Sequence, residues 1–193
     1  YPTETKETGA FEYLVGSRTK PYVLYNYTGL ETYTSTIVHE LGHAVYSELS
    51  AENHNIYNNY PITFTQEVAS TANEIMLYRY KIENAKTKEE KLFWLEQELS
   101  SFFLAKVMRQ CMYAEFEDYC YKTIESGGSL DGDEIKEKFF GVAKLFYGDS
   151  GNNPEDSGVD WGRGPPFYFF YYVYKYAGAG ACSPSICEHV EGK

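Results

Sequence analysis

A mainly α-helical domain with a small N-terminal β-ribbon is predicted for this chain of 193 residues. Three observations predict it. Most of the length carries apolar residues at helical spacing. Only the segment from about 11 to 28 shows short alternating runs around a turn-like string, GSRTKP. The composition, 43% hydrophobic and 18% aromatic, supplies a core for one sizeable domain and is short for two. The whole chain, 1–193, is therefore expected to be a single domain.

FEYLV and PYVLYNY, on either side of GSRTKP, read as two short strands of an edge ribbon. A helix follows at about 31–52, with Ile37, Leu41, Ala44, Val45 and Leu49 spaced for an apolar face. The loop AENHNIYNNYP leads to a second helix at about 63–84, opened by Thr63 or Thr65 as a cap. A long scaffold helix at about 88–126 is expected to bury Leu92, Leu95, Leu99, Phe102, Phe103, Val107, Cys111 and Ala114, and Gly127 and Gly128 end it. A shorter helix at about 131–147 begins after DGDE. That string lacks the alternating oxygen ligands of a calcium loop and reads as a helix cap. Residues 148–166, rich in Gly, Asp and Pro, read as a loop, and a final aromatic segment and helix run to about 190. Pro184 should break or kink that helix.

The formal net charge is −11, with no cluster of lysine and arginine, which argues against nucleic acid as a partner because phosphate contacts need basic residues. No apolar run approaches the roughly 20 residues that span a bilayer. The polar start YPTETKETGA does not read as a secretory signal. Cys111 and Cys120 stand nine apart in a helical pattern, on opposite faces, and cannot pair within one helix. With Cys182 and Cys187 they read as free, mostly buried thiols of a cytoplasmic protein.

The chemistry concentrates in TSTIVHELGHAVYSEL and, after a gap, TFTQEVASTANE. His39 and His43, four apart, fall on one helical face, one turn from each other. Two imidazoles so placed can hold one zinc ion, and Glu40 between them is a proton acceptor for an activated water. A third ligand that leaves a fourth position open is needed, and Glu67 is the natural candidate. Gly42 costs the helix about 1 kcal/mol against Ala. Its missing side chain lets something approach closely between the histidines.

HELGHA followed by EVASTANE resembles the M3 metallopeptidases, most closely the oligoendopeptidase F branch. ETGAFEY, PYVLYNYTG and FYFFYYVYKYA fall in that family's order, so the resemblance runs from about Thr5 to Val190, over the catalytic part only of a family whose full members are several times longer. It implies a zincin-like helical catalytic domain holding one Zn²⁺, with His39, His43 and Glu67 as ligands and Glu40 as general base. Glu74 matches the second acidic residue of the downstream motif. Seven residues after Glu67, it shares that helical face and can accept the free ring N–H of a ligand histidine. Tyr168, Tyr172 and Tyr174 match the family's C-terminal tyrosine pattern, and Tyr174 and Tyr168 are the expected donors to the oxyanion. The implied activity is internal cleavage of short oligopeptides. The implied partners are those substrates and the N-terminal part of a larger enzyme. The ribbon edge could also receive an extended substrate as an added strand.

Two departures bear on activity. Where relatives read Pro-His-Phe-Tyr, this chain reads Pro165-Pro166-Phe167-Tyr168. Proline cannot donate a hydrogen bond, and loss of one oxyanion donor costs about a hundredfold or more. Tyr46 stands where many relatives have histidine, one turn beyond His43, where it can still hydrogen-bond near the site. The alternatives are a zinc carboxypeptidase, which shares HExxH and a downstream glutamate, and a truncated, inactive fragment that binds peptides.

Overall fold

The computed structural model describes residues 3, 5, 9–16, 19–27, 29–30, 32–59, 62–148 and 158–192. Parts of ETGAFEY, of the turn GSRTKP and of the loop 148–166 lie outside the described residues. The chain divides into two compact units, residues 1–103 with 178–193, and residues 104–177.

In the first unit, strands β1 (Ala10–Tyr13) and β2 (Tyr22–Tyr25) pair antiparallel, with Phe11 opposite Leu24 and Tyr13 opposite Tyr22. Alternation puts these four on the outer face, exposed, and turns Glu12 and Val23 inward. Glu12 hydrogen-bonds Ser47 of helix α1 (Thr32–Asn53), while burial pushes its pKa up. The predicted ribbon is thus present and lies against the helix that carries the histidines.

Helix α1 packs against α2 (Thr63–Glu83). It does so with its polar side. Glu40, Gly42 and Ser47 are buried, whereas Leu41, Val45 and Leu49 remain 47%, 57% and 54% exposed. Of the apolar stripe read from the sequence, Ile37 and Ala44 are half-buried and Leu41, Val45 and Leu49 face outward, while the buried side carries small and polar groups that meet α2 and β1. The cap of α2 also differs from expectation. Ile62 occupies the cap position with no side-chain bond to the helix, and Thr63 is already helical. The Thr65 hydroxyl donates to the Ile62 carbonyl at 2.8 Å, so it is not capping an amide.

The expected single helix at 88–126 forms as α3 (Lys88–Gln97), a π-helical stretch (Glu98–Met108) and α4 (Arg109–Glu125). A π-helix closes i→i+5 bonds, so its wider turn shifts the phase of every later side chain. The buried apolar positions are Trp94, before that stretch, and Phe102, Met112 and Phe116 within and after it, and of the predicted stripe only Phe102 is buried. The run ends as read, at Gly127 with φ 85° and with the Gly128 N–H donating to the Thr123 carbonyl.

The last helix, α6 (Tyr174–Val190), runs through Pro184 without a break. Its later turns lie on α2 through small residues. Ser183 Oγ donates to the carbonyls of Ala179 (2.7 Å) and Val68 (3.1 Å), and Cys187 Sγ donates to the Ala72 carbonyl at 3.3 Å. The bonds to Val68 and Ala72 are tertiary and hold the segment helical where propensity alone would stop it. A Cβ on Gly178 would sit 2.6 Å from the Phe64 ring.

In the second unit, α4 packs on α5 (Gly132–Tyr147) around Met112, Phe116, Phe139 and Val142, with Trp161 and Phe167 against them. The DGDE string is a cap, as read. The Asp131 side chain accepts from the amides of Asp133 and Glu134, and Glu134 accepts from the Asp131 amide. Two 3₁₀ turns follow, Asp160–Arg163 and Pro165–Tyr168.

The four cysteines are free, but only Cys187 is buried; Cys111 and Cys120 are half-buried and Cys182 faces outward on α6. Burial also raises the Cys187 thiol pKa. Iodoacetamide at neutral pH is therefore expected to label Cys182 first and Cys187 only after unfolding, as read by peptide mass mapping.

Candidate metal centre

The two helices that pack together in the first unit bring together residues 28 positions apart in sequence, His39 with Glu67. His39 Nε2 and His43 Nε2 are 3.2 Å apart, as one helical turn allows. Glu67 Oε2 of α2 lies 3.4 Å from the first and 3.7 Å from the second. Three lone-pair atoms from three side chains thus surround one point.

These separations can be tested against a metal. A tetrahedral ion with bonds of about 2.0–2.1 Å places its ligand atoms roughly 3.3 Å from each other. The observed 3.2, 3.4 and 3.7 Å edges match that figure, and the donor set of two imidazoles and one carboxylate suits zinc and leaves a fourth position for another ligand. The residues present therefore fit the ion that the sequence calls for.

Neighbouring groups hold His39 and Glu67 in place. His39 Nδ1, half-buried, meets Oε1 of the buried Glu74. A ring N–H donated to that carboxylate puts the lone pair on Nε2, the atom that faces the site. Replacing Glu74 with Ala is expected to weaken zinc binding about 10–100-fold while both helices persist, measured by competition with a chromogenic chelator and by circular dichroism. Glu67, 3% exposed, accepts from Ser70 Oγ at 3.1 Å, which fixes the carboxylate from one turn along its own helix. Asn73 Nδ2 donates to the Val38 carbonyl at 3.4 Å and ties α2 back to α1 beside His39. Neither Ser70 nor Asn73 was singled out from the sequence. Their signal was the spacing from Glu67, three and six residues on, within EVASTANE.

Gly42 explains how the helices come so close. A Cβ there would stand 2.6 Å from Ser70 Cα and 2.9 Å from the Ala69 carbonyl oxygen. The close approach read from the glycine is thus made by the backbone of α2 one turn past Glu67. Tyr46, the residue in the place of the relatives' histidine, donates from its hydroxyl to Thr65 Oγ1 at 2.9 Å, two residues before Glu67.

Glu40 is buried on α1 between the two histidines in sequence. Tyr168 and Tyr174 belong to the second unit. The Tyr168 hydroxyl donates to the Gly162 carbonyl at 2.9 Å, and Tyr174 is the first residue of α6, half exposed. Pro166 lies in the 3₁₀ turn that ends at Tyr168.

Comparison with known proteins follows the same lines. The chain is 34% identical over 197 residues to oligopeptidase PepF of Bacillus subtilis, covering 100% of this chain and 29% of that protein. It is 33% identical over 180 residues to the plasmid-borne oligoendopeptidase F of Lactococcus lactis subsp. cremoris, covering 89% of this chain and 28% of that one. Among solved structures, oligoendopeptidase-F of Enterococcus faecium superposes with a TM-score of 0.63 at 28% identity, over 85% of this chain and 30% of that one. A crystal structure from Chlamydophila abortus gives a TM-score of 0.76 at 31% identity, over 100% of this chain and 32% of that one. The chain thus spans about 30% of the length of these relatives. The model of Peptidase family M3 matches residues 1–189, and with the paired helices and their two histidines and glutamate this chain belongs to that family.

Proposed function

We propose that this chain carries the catalytic part of a zinc-dependent oligoendopeptidase that hydrolyses short oligopeptides at internal bonds. The observation that carries the reading is the convergence of His39 Nε2, His43 Nε2 and Glu67 Oε2 at separations suited to one tetrahedral ion. Zinc bound there supplies Lewis acidity, polarising a carbonyl and making water ionisable near neutral pH. The rest of the chemistry falls to side chains. Glu40 takes the proton of the attacking water and returns it to the departing amine nitrogen. Glu74 holds the His39 ring in the tautomer whose Nε2 bears the lone pair. The Tyr174 and Tyr168 hydroxyls are the proposed donors to the oxygen of the tetrahedral intermediate. Pro166 adds no donor in the position where relatives have histidine.

The span of about 30% of the relatives and the exposed stripe Leu41–Val45–Leu49 support a companion reading, that the rest of a larger M3 polypeptide completes the substrate channel. A cytoplasmic location accords with the four free thiols. No helix among the described residues is long and apolar enough to cross a membrane.

Zinc-loaded protein and internally quenched peptides blocked at both ends test the proposal. Cleavage within the blocked peptides, abolished by a chelator and restored by Zn²⁺, supports it. Trimming of single residues from free C-termini alone would favour a carboxypeptidase. Binding without any cleavage would leave a peptide-binding fragment.

A further inference from the structure

A buried carboxylate in the second unit has no part in the metal centre. Glu117 on α4 is 1% exposed, beside Tyr121 and Tyr171. Burying a carboxylate is costly, and a position used only for packing would hold an apolar residue. Its Oε1 accepts the backbone N–H of Tyr171 at 2.9 Å. Tyr171 has φ 44°, the left-handed region that a residue with a Cβ enters only under constraint. One turn of α4 holds the same segment by its side chains. Tyr121 packs on Phe170 and Tyr171 with ring centroids at 4.8 and 5.0 Å, and the Tyr171 hydroxyl reaches Asp118 Oδ1 at 3.4 Å. Asp118 is itself paired with Lys122 at 2.7 Å.

The strained residue stands between the two tyrosines of interest. The 3₁₀ turn ending at Tyr168 lies on one side and the start of α6 at Tyr174 on the other. Phe169 donates its N–H to the Pro166 carbonyl and Tyr172 donates to the Phe169 carbonyl, both within the segment, whereas the Tyr171 N–H is handed to α4. A change of φ at that residue would redirect everything on one side of it relative to the other. The geometry points to Glu117 as a positioning residue that locks the left-handed turn at Tyr171 and so sets the mutual placement of the Tyr168 and Tyr174 hydroxyls. The inference rests on the proposed peptidase reading for its functional consequence, but the lock itself does not. Burial raises the Glu117 pKa, opposed by the Tyr171 N–H, by Tyr121 and by Lys175. A protonated carboxyl or a carboxamide keeps a carbonyl oxygen for the Tyr171 N–H, so charge is not what the lock requires.

Glu117→Gln and Glu117→Leu separate the possibilities. Gln preserves the acceptor and Leu removes it at similar volume. Amide hydrogen exchange at Tyr171, read by NMR or by electron-transfer fragmentation, is expected to be near wild type in the Gln variant. In the Leu variant it should be about 10–100-fold faster, the range for stranding a buried donor. Cooperative thermal unfolding of both variants shows that the α4–α5 core persists. On zinc-loaded protein, kcat should fall about tenfold or more in the Leu variant with KM little changed, and recover in the Gln variant. Unchanged exchange at Tyr171 in the Leu variant overturns the lock. Faster exchange with unaltered kcat overturns the positioning role and leaves the peptidase reading intact. Wild-type protein that binds zinc yet cuts no peptide sinks the peptidase reading and the positioning role together, while the exchange result still decides the lock.

Discussion

Glu40→Gln should bind zinc like the wild type and hydrolyse peptides about 10²–10⁴-fold more slowly, the range for removing a positioned general base. The substitution keeps size and hydrogen-bonding capacity but removes the basic oxygen. Zinc content should not change, because the three converging atoms belong to His39, His43 and Glu67. Folding should not suffer either, since a neutral amide at a buried position avoids the desolvation cost of a charge. Metal analysis beside steady-state turnover of a quenched peptide reads both quantities on one preparation. A variant that turns over as the wild type does would remove Glu40 from the role of base and leave the metal centre standing.

Gly42→Ala should damage the same centre from a residue with no chemistry of its own. In an isolated helix the change would help by about 1 kcal/mol. Here the new methyl group would meet α2 backbone at 2.6 and 2.9 Å, with no flexible side chain to swing aside. The helices must part by most of an ångström to restore ordinary contact. Overpacking of this kind costs about 1–3 kcal/mol, and backbone neighbours put it at the upper end, for a net loss of roughly 1–2 kcal/mol. Function should suffer more than stability, since binding constellations tolerate only about 0.5 Å of displacement. Glu67 lies one turn before the point of collision. Zinc affinity should therefore drop at least about tenfold, measured by competitive chelator titration, alongside a lower Tm. A Gly42→Ala protein with unchanged affinity and melting would show that α1 and α2 are not held together by this contact.

What could be read ahead of the structure was local. His39 and His43 share a face because four residues make about one turn, whatever surrounds the helix. Asp131 caps α5 through amides two and three residues away. Gly127 ends α4 through its own positive φ. Each of these needs only near neighbours in the chain, so spacing and residue type suffice to find them. The apolar stripe of α1 was legible too, but not the direction it faces. Periodicity reports that a helix has two sides and says nothing about which side meets a partner.

Motif and spacing alone named the candidate donors for a metal ion, the helices that bear them, the ribbon before them and the family resemblance. Packing between distant segments decided the rest. It brought Glu67 to the two imidazoles, turned the Leu41–Val45–Leu49 stripe outward, shifted the buried phase after the π-helical stretch, carried α6 through Pro184 and bent Tyr171 into a left-handed turn on Glu117. Each of those outcomes balances a local preference against contacts made across many residues. The local half of that balance is written in neighbouring letters, and the other half exists only once the chain has closed on itself.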